Sequence, residues 1–299
     1  MTSGISASAQ RFLLDIKRLQ DRGDRAQGQI SSNKRVETAS DDPVNLGTLM
    51  SLKSQLAKSV QARSNLGRFQ SEVDMAETSL RQAVSLLDTA VTLASQGAST
   101  DSTADRSVLA NQVRGLMTQM VSIANTNVEG RYIFSGGSDQ KAAYAVNLSS
   151  TNGVDQTAQF IPGRQVQDAL GNSLSTGLTA DTIFNASGSD GVFKALNDLR
   201  LALEQDSATD TQAAAAALDT ASTYLNQQLA HYGDLQNQIT TATNSAAKLE
   251  LSWKTAISGI EDTDLAAAAL EVTENKTARE AAYSAESGRP RTSLFDYLK

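Results

Sequence analysis

The stretch ISASAQRFLLDIKRLQDRGDRAQGQI, residues 5–30, decides the fold of this 299-residue chain because its apolar side chains recur every three or four residues. The same spacing returns near the other end, in LQNQITTATNSAAKLELSWKTAISGI, residues 235–260. Such spacing places a narrow apolar seam along one side of a helix, and the seam is stable only when another helix covers it. Both ends of the chain are therefore predicted to form long helices that pack against each other.

Helical spacing also predicts the elements beside these two stretches. A long helix is expected from about Leu49 to Gly97, and a shorter one from about Val108 to Ile123. The sequence Ser40-Asp41-Asp42-Pro43 marks the start of the long helix, because Asp or Ser caps free amides and Pro is tolerated in the first turn. Helical spacing resumes at Val192 and continues to about Ile260, and a last helix begins near Asp264.

The middle of the chain has a different pattern, in which short apolar runs alternate with Gly, Asn, Ser and Thr. Tyr132-Ile133-Phe134 is expected to be a short strand that ends in a turn at Gly136-Gly137. Further apolar runs lie at 143–146, 159–161 and 182–184. These runs indicate a small β-rich domain with long loops.

The predicted fold class is mainly α. We expect a long antiparallel helical bundle or coiled coil formed by both chain ends, with the small β-rich domain inserted at its tip. The expected division is terminal helices at 1–40 and 262–299, a helical rod at 41–138 and 189–261, and the β-rich domain at 139–188. This architecture suits assembly better than a catalytic cleft.

Composition and charge exclude several classes of function. The chain has 33 acidic and 26 basic side chains and a net charge of −7, so a broad phosphate-binding surface is not expected and nucleic acid is not a predicted partner. No apolar run approaches the roughly 20 residues that cross a bilayer, so no membrane partner is predicted. The absence of cysteine excludes disulfides, thiolate nucleophiles and every cysteine-based metal site.

The remaining candidates for chemistry are weak. His231 is the single histidine and has no second imidazole or thiolate with which to share a metal. Asp41 and Asp42 resemble a catalytic pair of carboxylates, but their position before Pro43 favours helix capping. We expect no enzymatic activity, no metal site and no cofactor.

The terminal helices are the candidate functional segments. Alone, short segments interrupted by glycine do not offset their ordering entropy, so we expect them to be disordered until they pack against each other and against neighbouring copies. An ordinary bundle within one chain is the alternative. The residues expected to form the assembly interface are Ile5, Phe12, Ile16, Leu19, Ile30, Leu294, Phe295 and Leu298.

Several motifs support this interpretation. Residues 30–36, ISSNKRV, and 39–43, ASDDP, resemble the N-terminal signature of the bacterial flagellin superfamily, which usually has Gly in place of Asn33. Residues 293–298, SLFDYL, resemble the C-terminal end of that superfamily. Two further segments, GRYIFSG at 130–136 and VFKALNDL at 192–199, are similar to the branch whose members join hook and filament. The motif residues that carry the resemblance are Ser40, Asp41, Asp42, Pro43, Arg131, Tyr132 and Phe134.

The resemblance implies a structural subunit of the bacterial flagellum with no catalytic role. A ring of copies would lie between hook-associated protein 1 and the first flagellin, and export would use a flagellar chaperone and the type III apparatus without a cleaved signal peptide. Two other functions remain open: a filament-forming flagellin, and a flagellin-derived surface protein that binds a carbohydrate or receptor through residues 140–185. The chain departs from the superfamily at Gly288-Arg289-Pro290, where we expect a kink in the last helix.

Overall fold

The computed structural model describes residues 7–100, 102–161, 163–175, 177–184 and 191–288. Helices form most of this part of the chain, and both of its ends are helical. The helices are α1 (Ala7–Ser32), α2 (Leu46–Ser99), α3 (Thr103–Ala124), α4 (Ala180–Phe184), α5 (Val192–Glu204), α6 (Ala208–Glu261) and α7 (Leu265–Ser287). The strands are β1 (Asn127–Val128), β2 (Arg131–Tyr132), β3 (Tyr144–Val146), β4 (Val154–Gln156), β5 (Gln165–Gln167) and β6 (Ser173–Ser175).

The predicted mainly α fold is confirmed: long helices come from both ends of the chain, and the β region between them is small. One predicted helix is wrong, because the segment from Val192 to Ile260 is interrupted between α5 and α6. Asp206 lies in the left-handed region at φ 55°, and the amide of Ser207 donates to the carbonyl of Ala202 at 3.0 Å. This arrangement satisfies the carbonyls at the end of α5. The side chain of Ser207 then accepts from the amide of Asp210 at 3.2 Å and begins α6.

Within its described residues, the β region has three separate antiparallel pairs, β1–β2, β3–β4 and β5–β6. The expected strand at Tyr132-Ile133-Phe134 includes only Tyr132, because the chain turns Phe134 into the core after β2. The apolar run at 182–184 belongs to helix α4 rather than to a strand. Short runs of this kind do not distinguish a buried strand from a buried helical turn.

The chain divides into two compact units, which are described separately. The terminal unit comprises the described residues of Met1–Ala57 and Leu251–Lys299, and the central unit is Lys58–Glu250. The predicted three-part division at residues 40, 138, 188 and 261 stays a prediction. None of the described helices is both long enough and apolar enough to span a membrane.

The core of the central unit is a continuous apolar cluster from α2, α3, α5 and α6 together with the β region. Gly97 of α2 makes a close approach possible, because a Cβ there would overlap Cδ2 of Leu203 and lie 3.3 Å from Cγ2 of Thr211. The β region is not a separate core, since Phe134 and Tyr144 are buried in the same cluster.

Aromatic side chains concentrate in this cluster, although they make up only 5% of the chain. Phe134 packs edge-on against Phe184 at 5.8 Å and against Tyr232 at 6.5 Å between ring centroids. Tyr144 and Phe193 are 4.9 Å apart. Each such pair adds about 0.5–1.5 kcal/mol beyond the area that it buries. The aromatic cluster therefore anchors the β region to the helices.

Candidate assembly site

Helices α1 and α7 pack against each other in the terminal unit. Ile16 and Ala26 are buried on the predicted seam of α1. Phe12, near the start of α1, contacts Tyr283, near the end of α7, edge-on at 6.4 Å. The pair is therefore antiparallel. The spacing of apolar residues every three or four positions in 5–30 correctly identified the face of α1 that packs against α7.

The predicted interface residues are only partly within the described chain. Phe12, Leu19 and Ile30 are half-buried on the same face as Ile16. The remaining four predicted residues, Ile5, Leu294, Phe295 and Leu298, lie outside the described residues, as does the expected kink at Pro290. Their role in assembly stays a prediction.

Several leucines of the helical pair are exposed in the single chain. Leu13 and Leu14 of α1 are 55% and 57% exposed, and Leu270 of α7 is 59% exposed. Leu13 and Leu14 are consecutive in the helix and point about 100° apart, so they offer apolar area to neighbouring helices in two different directions.

The flagellin-like signature after α1 forms the turn into α2. Asn33 has φ 56°, a left-handed conformation that Gly adopts freely and Asn tolerates better than most residues. This geometry accounts for Asn in a position where the superfamily usually has Gly. Asp41 closes the turn, because its Oδ2 accepts from the amides of Glu37 at 3.1 Å and Thr38 at 2.7 Å. The bonds from Thr38 and Glu37 hold the pKa of Asp41 below its ordinary value of 3.8.

Asp42 and Pro43 start α2, as the sequence predicts, but Asp41 does not cap this helix. The Oδ1 of Asp42 accepts from the amide of Asn45 at 3.1 Å, and its Oδ2 accepts from the side-chain amide of Asn45 at 2.9 Å. Pro43 lies directly after the cap, where a missing amide hydrogen costs nothing. Regular α-helix begins at Leu46.

A buried carboxylate joins this turn to the end of α6. Glu261 is 5% exposed, and its two oxygens lie 2.7 Å from Nζ of Lys34 and 2.7 Å from Nζ of Lys53. Hydrogen bonds from Lys34 and Lys53 lower the pKa of Glu261 below 4.5, and the same carboxylate raises the pKa of Lys34 above 10.5. Sequence reasoning missed this group, because Glu261 reads as an ordinary polar residue at a helix end.

The GRYIFSG segment builds the start of the β region in the central unit. Arg131 donates from Nε to Oδ2 of Asp139 at 2.6 Å, and Phe134 is fully buried. Gly136 has φ 60°, and a Cβ there would overlap the carbonyl oxygen of Ile161. Tyr132 is half-buried in strand β2, and its amide donates to the carbonyl of Asp139. The segment is therefore a structural motif.

The VFKALNDL segment places Asn197 inside the central unit. The side-chain amide of Asn197 donates to the carbonyl of Thr151 at 3.1 Å, and its Oδ1 accepts from Arg200 at 2.8 Å. Arg200 is itself buried and pairs with Glu204 at 2.8 Å. Sequence reasoning missed Arg200 and Glu204, because no periodic pattern identifies a buried arginine that pairs with an exposed glutamate on the same helix.

The described residues contain no group of three His, Cys, Asp or Glu side chains positioned to hold a metal ion. His231 is exposed on α6, and the ring beside it, 6.1 Å away, is that of Tyr232.

The fold defines the class of protein, a mainly helical chain whose first and last described helices pack against each other. Comparison with known families supports this class. Residues 5–139 match the model of the bacterial flagellin N-terminal helical region, and residues 215–298 match that of the C-terminal helical region. These two regions cover more than two thirds of the chain, and the chain belongs to the bacterial flagellin family.

Three relatives align with most of the chain. The chain is 27% identical to flagellar hook-associated protein 3 of Escherichia coli over 91% of each chain. It is 25% identical to flagellar hook-associated protein 3 of Salmonella typhimurium, over 89% of this chain and 90% of the relative. The flagellar filament 30.7 kDa core protein of Treponema maltophilum is 26% identical over 85% of this chain and 84% of its own length.

Solved structures share the fold. The flagellar hook-associated protein 3 of Legionella pneumophila superposes with a TM-score of 0.61 at 15% identity, covering 70% of this chain and 98% of that chain. FlgL of Xanthomonas campestris gives a TM-score of 0.60 at 19% identity, covering 70% of this chain and all of the other.

Proposed function

We propose that this chain is a structural subunit of the bacterial flagellum that joins the hook to the filament. The proposal rests on the sequence similarity to flagellar hook-associated protein 3 from two organisms. Each alignment covers about nine tenths of this chain and of the relative. The paired terminal helices with their exposed leucines support an assembly role. A filament-forming flagellin is the second candidate, because the Treponema relative is a filament core protein.

The implied partners follow from this position. Copies of the chain form a ring through contacts that include the exposed leucines of α1 and α7, and the ring contacts hook-associated protein 1 on one side and flagellin on the other. The chain reaches this position through the flagellar type III apparatus with the help of an export chaperone. It acts by packing, without catalysis and without a cofactor.

A gene deletion tests the role directly. Electron microscopy of the cells is combined with an assay of flagellin in the culture medium. Hooks without filaments, together with monomeric flagellin in the medium, are the expected result. Loss of filaments with no secreted flagellin would instead identify the filament subunit. Intact filaments would contradict both candidates.

Leu19→Asp tests the seam. A carboxylate placed on the half-buried face of α1 should prevent incorporation, because burying an unpaired charge costs several kcal/mol. Filament number after complementation of the deletion strain is the measurement. The neighbouring exposed Gln20→Asp is the matched control and should restore filaments. Equal complementation by both variants would contradict the seam.

A further inference from the structure

The turn between β3 and β4 in the central unit contains Asn152-Gly153, the one Asn-Gly pair in the sequence. We propose that this pair is a deamidation site, protected from reaction by the folded central unit and reactive when the chain is unfolded. The reaction belongs to the covalent chemistry of the chain itself and goes beyond the junction role proposed above.

Deamidation at this pair needs no enzyme. The backbone nitrogen of Gly153 attacks Cγ of Asn152, the bond from Cγ to the side-chain nitrogen breaks, and that nitrogen leaves as ammonia with the proton of the backbone amide. Water then opens the resulting five-membered succinimide at either carbonyl, which gives aspartate or isoaspartate at position 152. Glycine favours the attack, because it has no side chain to hinder the approach of the nitrogen.

Packing requires glycine at position 153. Gly153 has φ 72°, in the left-handed region that glycine adopts freely. A Cβ there would overlap Cε of Met117 in α3 and would lie 3.1 Å from Oδ1 of Asn197 in α5. A larger residue after Asn152 would hinder the attack but would also disturb this packing. The reactive pair is therefore a consequence of how the turn packs.

The folded turn occupies the attacking nitrogen. The amide of Gly153 donates to the carbonyl of Ser150 at 3.0 Å, and the carbonyl of Gly153 accepts from the amide of Asn147 at 3.0 Å. Oγ of Ser150 lies 2.9 Å from the carbonyl oxygens of both Asn147 and Val154. The hydrogen bond from Gly153 to Ser150 must break before the nitrogen loses its proton and attacks.

Helix α5 holds the same turn from outside. The side-chain amide of Asn197 donates to the carbonyl of Thr151 at 3.1 Å, and the guanidinium of Arg200 donates to the carbonyl of Leu148 at 3.3 Å. Both donors are buried, Asn197 at 1% and Arg200 at 5% exposure. Such bonds open when the segment unfolds locally, which costs free energy. The protection of Asn152 therefore depends on α5 as well as on the turn.

The product does not fit the folded turn. Isoaspartate at position 152 lengthens the backbone by one carbon, whereas the pairing of β3 with β4 fixes both ends of the turn, with Val146 opposite Val154. An unfolded chain thus accumulates a covalent defect that a folded chain avoids.

The experiment follows deamidation of the purified full-length chain at mildly alkaline pH, by mass spectrometry of tryptic peptides. Cleavage after Lys141 and Arg164 releases one peptide that contains both Asn147 and Asn152. Asn147 is the internal reference, because the side chain of Leu148 hinders attack at that position. We expect Asn152 to deamidate roughly tenfold or more faster in urea than in the folded chain.

Two serines of the turn provide a matched pair of variants. Ser150→Ala removes the hydroxyl that bridges the turn, and it should speed deamidation of the folded chain about threefold or more. Ser149→Ala is the control, since Ser149 is exposed, and it should react at the rate of the unchanged chain. A second variant, Asn197→Asp, keeps an oxygen that accepts from Arg200 but loses the donor to Thr151, and it should also speed the reaction.

Equal rates at Asn152 in the folded and the urea-unfolded chain would overturn the proposal. Equal rates for Ser150→Ala, Asn197→Asp and Ser149→Ala would overturn it too, provided that the three variants have the circular dichroism of the unchanged chain. Neither result bears on the junction role, which the deletion phenotype decides separately.

Discussion

At the scale of single residues, two buried tyrosines of the central unit differ in how their hydroxyls are satisfied. The hydroxyl of Tyr144 has no hydrogen-bond partner within the described part of the chain. The hydroxyl of Tyr232 accepts from the amide of Leu178 at 3.3 Å. Burial raises the pKa of both phenols above the ordinary 10.0.

Tyr144→Phe should therefore leave the chain as stable or raise its stability by up to about 1 kcal/mol. The change removes a desolvated hydroxyl and keeps the ring contacts with Phe160 and Phe193. Tyr232→Phe removes a satisfied hydroxyl and should cost about 1 kcal/mol. Calorimetric unfolding measures the change in stability of each variant relative to the unchanged chain. A larger loss of unfolding free energy for Tyr144→Phe than for Tyr232→Phe would contradict the conclusion that only the hydroxyl of Tyr232 is hydrogen-bonded.

At the scale of elements, two of the three glycines of helix α2 have opposite surroundings. Gly67 is exposed and a Cβ there would meet nothing within 4 Å, whereas a Cβ at Gly97 would overlap Leu203. Gly67→Ala should stabilise the chain by up to about 1 kcal/mol, because alanine is the better helix former. Gly97→Ala should destabilise it by about 1–3 kcal/mol, because the core is overpacked. Thermal unfolding of the two variants should shift in opposite directions, and parallel shifts would contradict the packing at Gly97.

Helical elements were predictable from the sequence, because periodicity reports which face a helix buries. The spacing on α1 identified Ile16 and Ala26, and Asp264 begins α7 as expected, accepting from the amides of Ala266 and Ala267. The break at Asp206 was not predictable, since a single residue in the left-handed region interrupts a pattern that is helical on both sides.

The candidate site was less predictable than the helices. Phe134, Phe184 and Tyr232 meet although about 50 residues separate each from the next in sequence, and periodicity carries no information about such long-range contacts. Arg200 and Glu261 are charged residues that sequence patterns assign to the surface, yet both are buried by partners from distant segments.

At the scale of the whole molecule, the free energy of unfolding should decrease at acidic pH. Hydrogen bonds from Lys34 and Lys53 lower the folded-state pKa of Glu261, and a hydrogen bond from Arg106 lowers that of Asp206. A lowered folded-state pKa means that the unfolded chain binds more protons in acid. This stability is therefore fully present above the ordinary values of 4.5 and 3.8 and is lost as the pH falls through the lowered ones.

The buried phenols of Tyr144 and Tyr232 limit the stability of the chain at high pH. Their raised pKa contributes stability that is present below pH 10.0 and is lost as the pH rises beyond it. Thermal unfolding measured across the pH range should show a plateau near neutrality, with lower midpoints below about pH 4 and above about pH 10. A midpoint that rises between pH 6 and pH 4 would contradict the carboxylate assignments.

The central unit lies between the two segments of the terminal unit in the sequence, and this order affects the order of folding. Closing the loop of more than 200 residues between Lys34 and Glu261 costs roughly 5 kcal/mol of chain entropy. Once the central unit has folded, Nε of Arg63 lies 3.0 Å from Oε1 of Glu250, and the effective loop between Lys34 and Glu261 shrinks to roughly 40 residues. That reduction lowers the entropic cost by about 1.5 kcal/mol, so the terminal unit closes after the central one. Helix α1 is synthesised before the central unit, yet it is thus expected to pair with α7 only after that unit has folded.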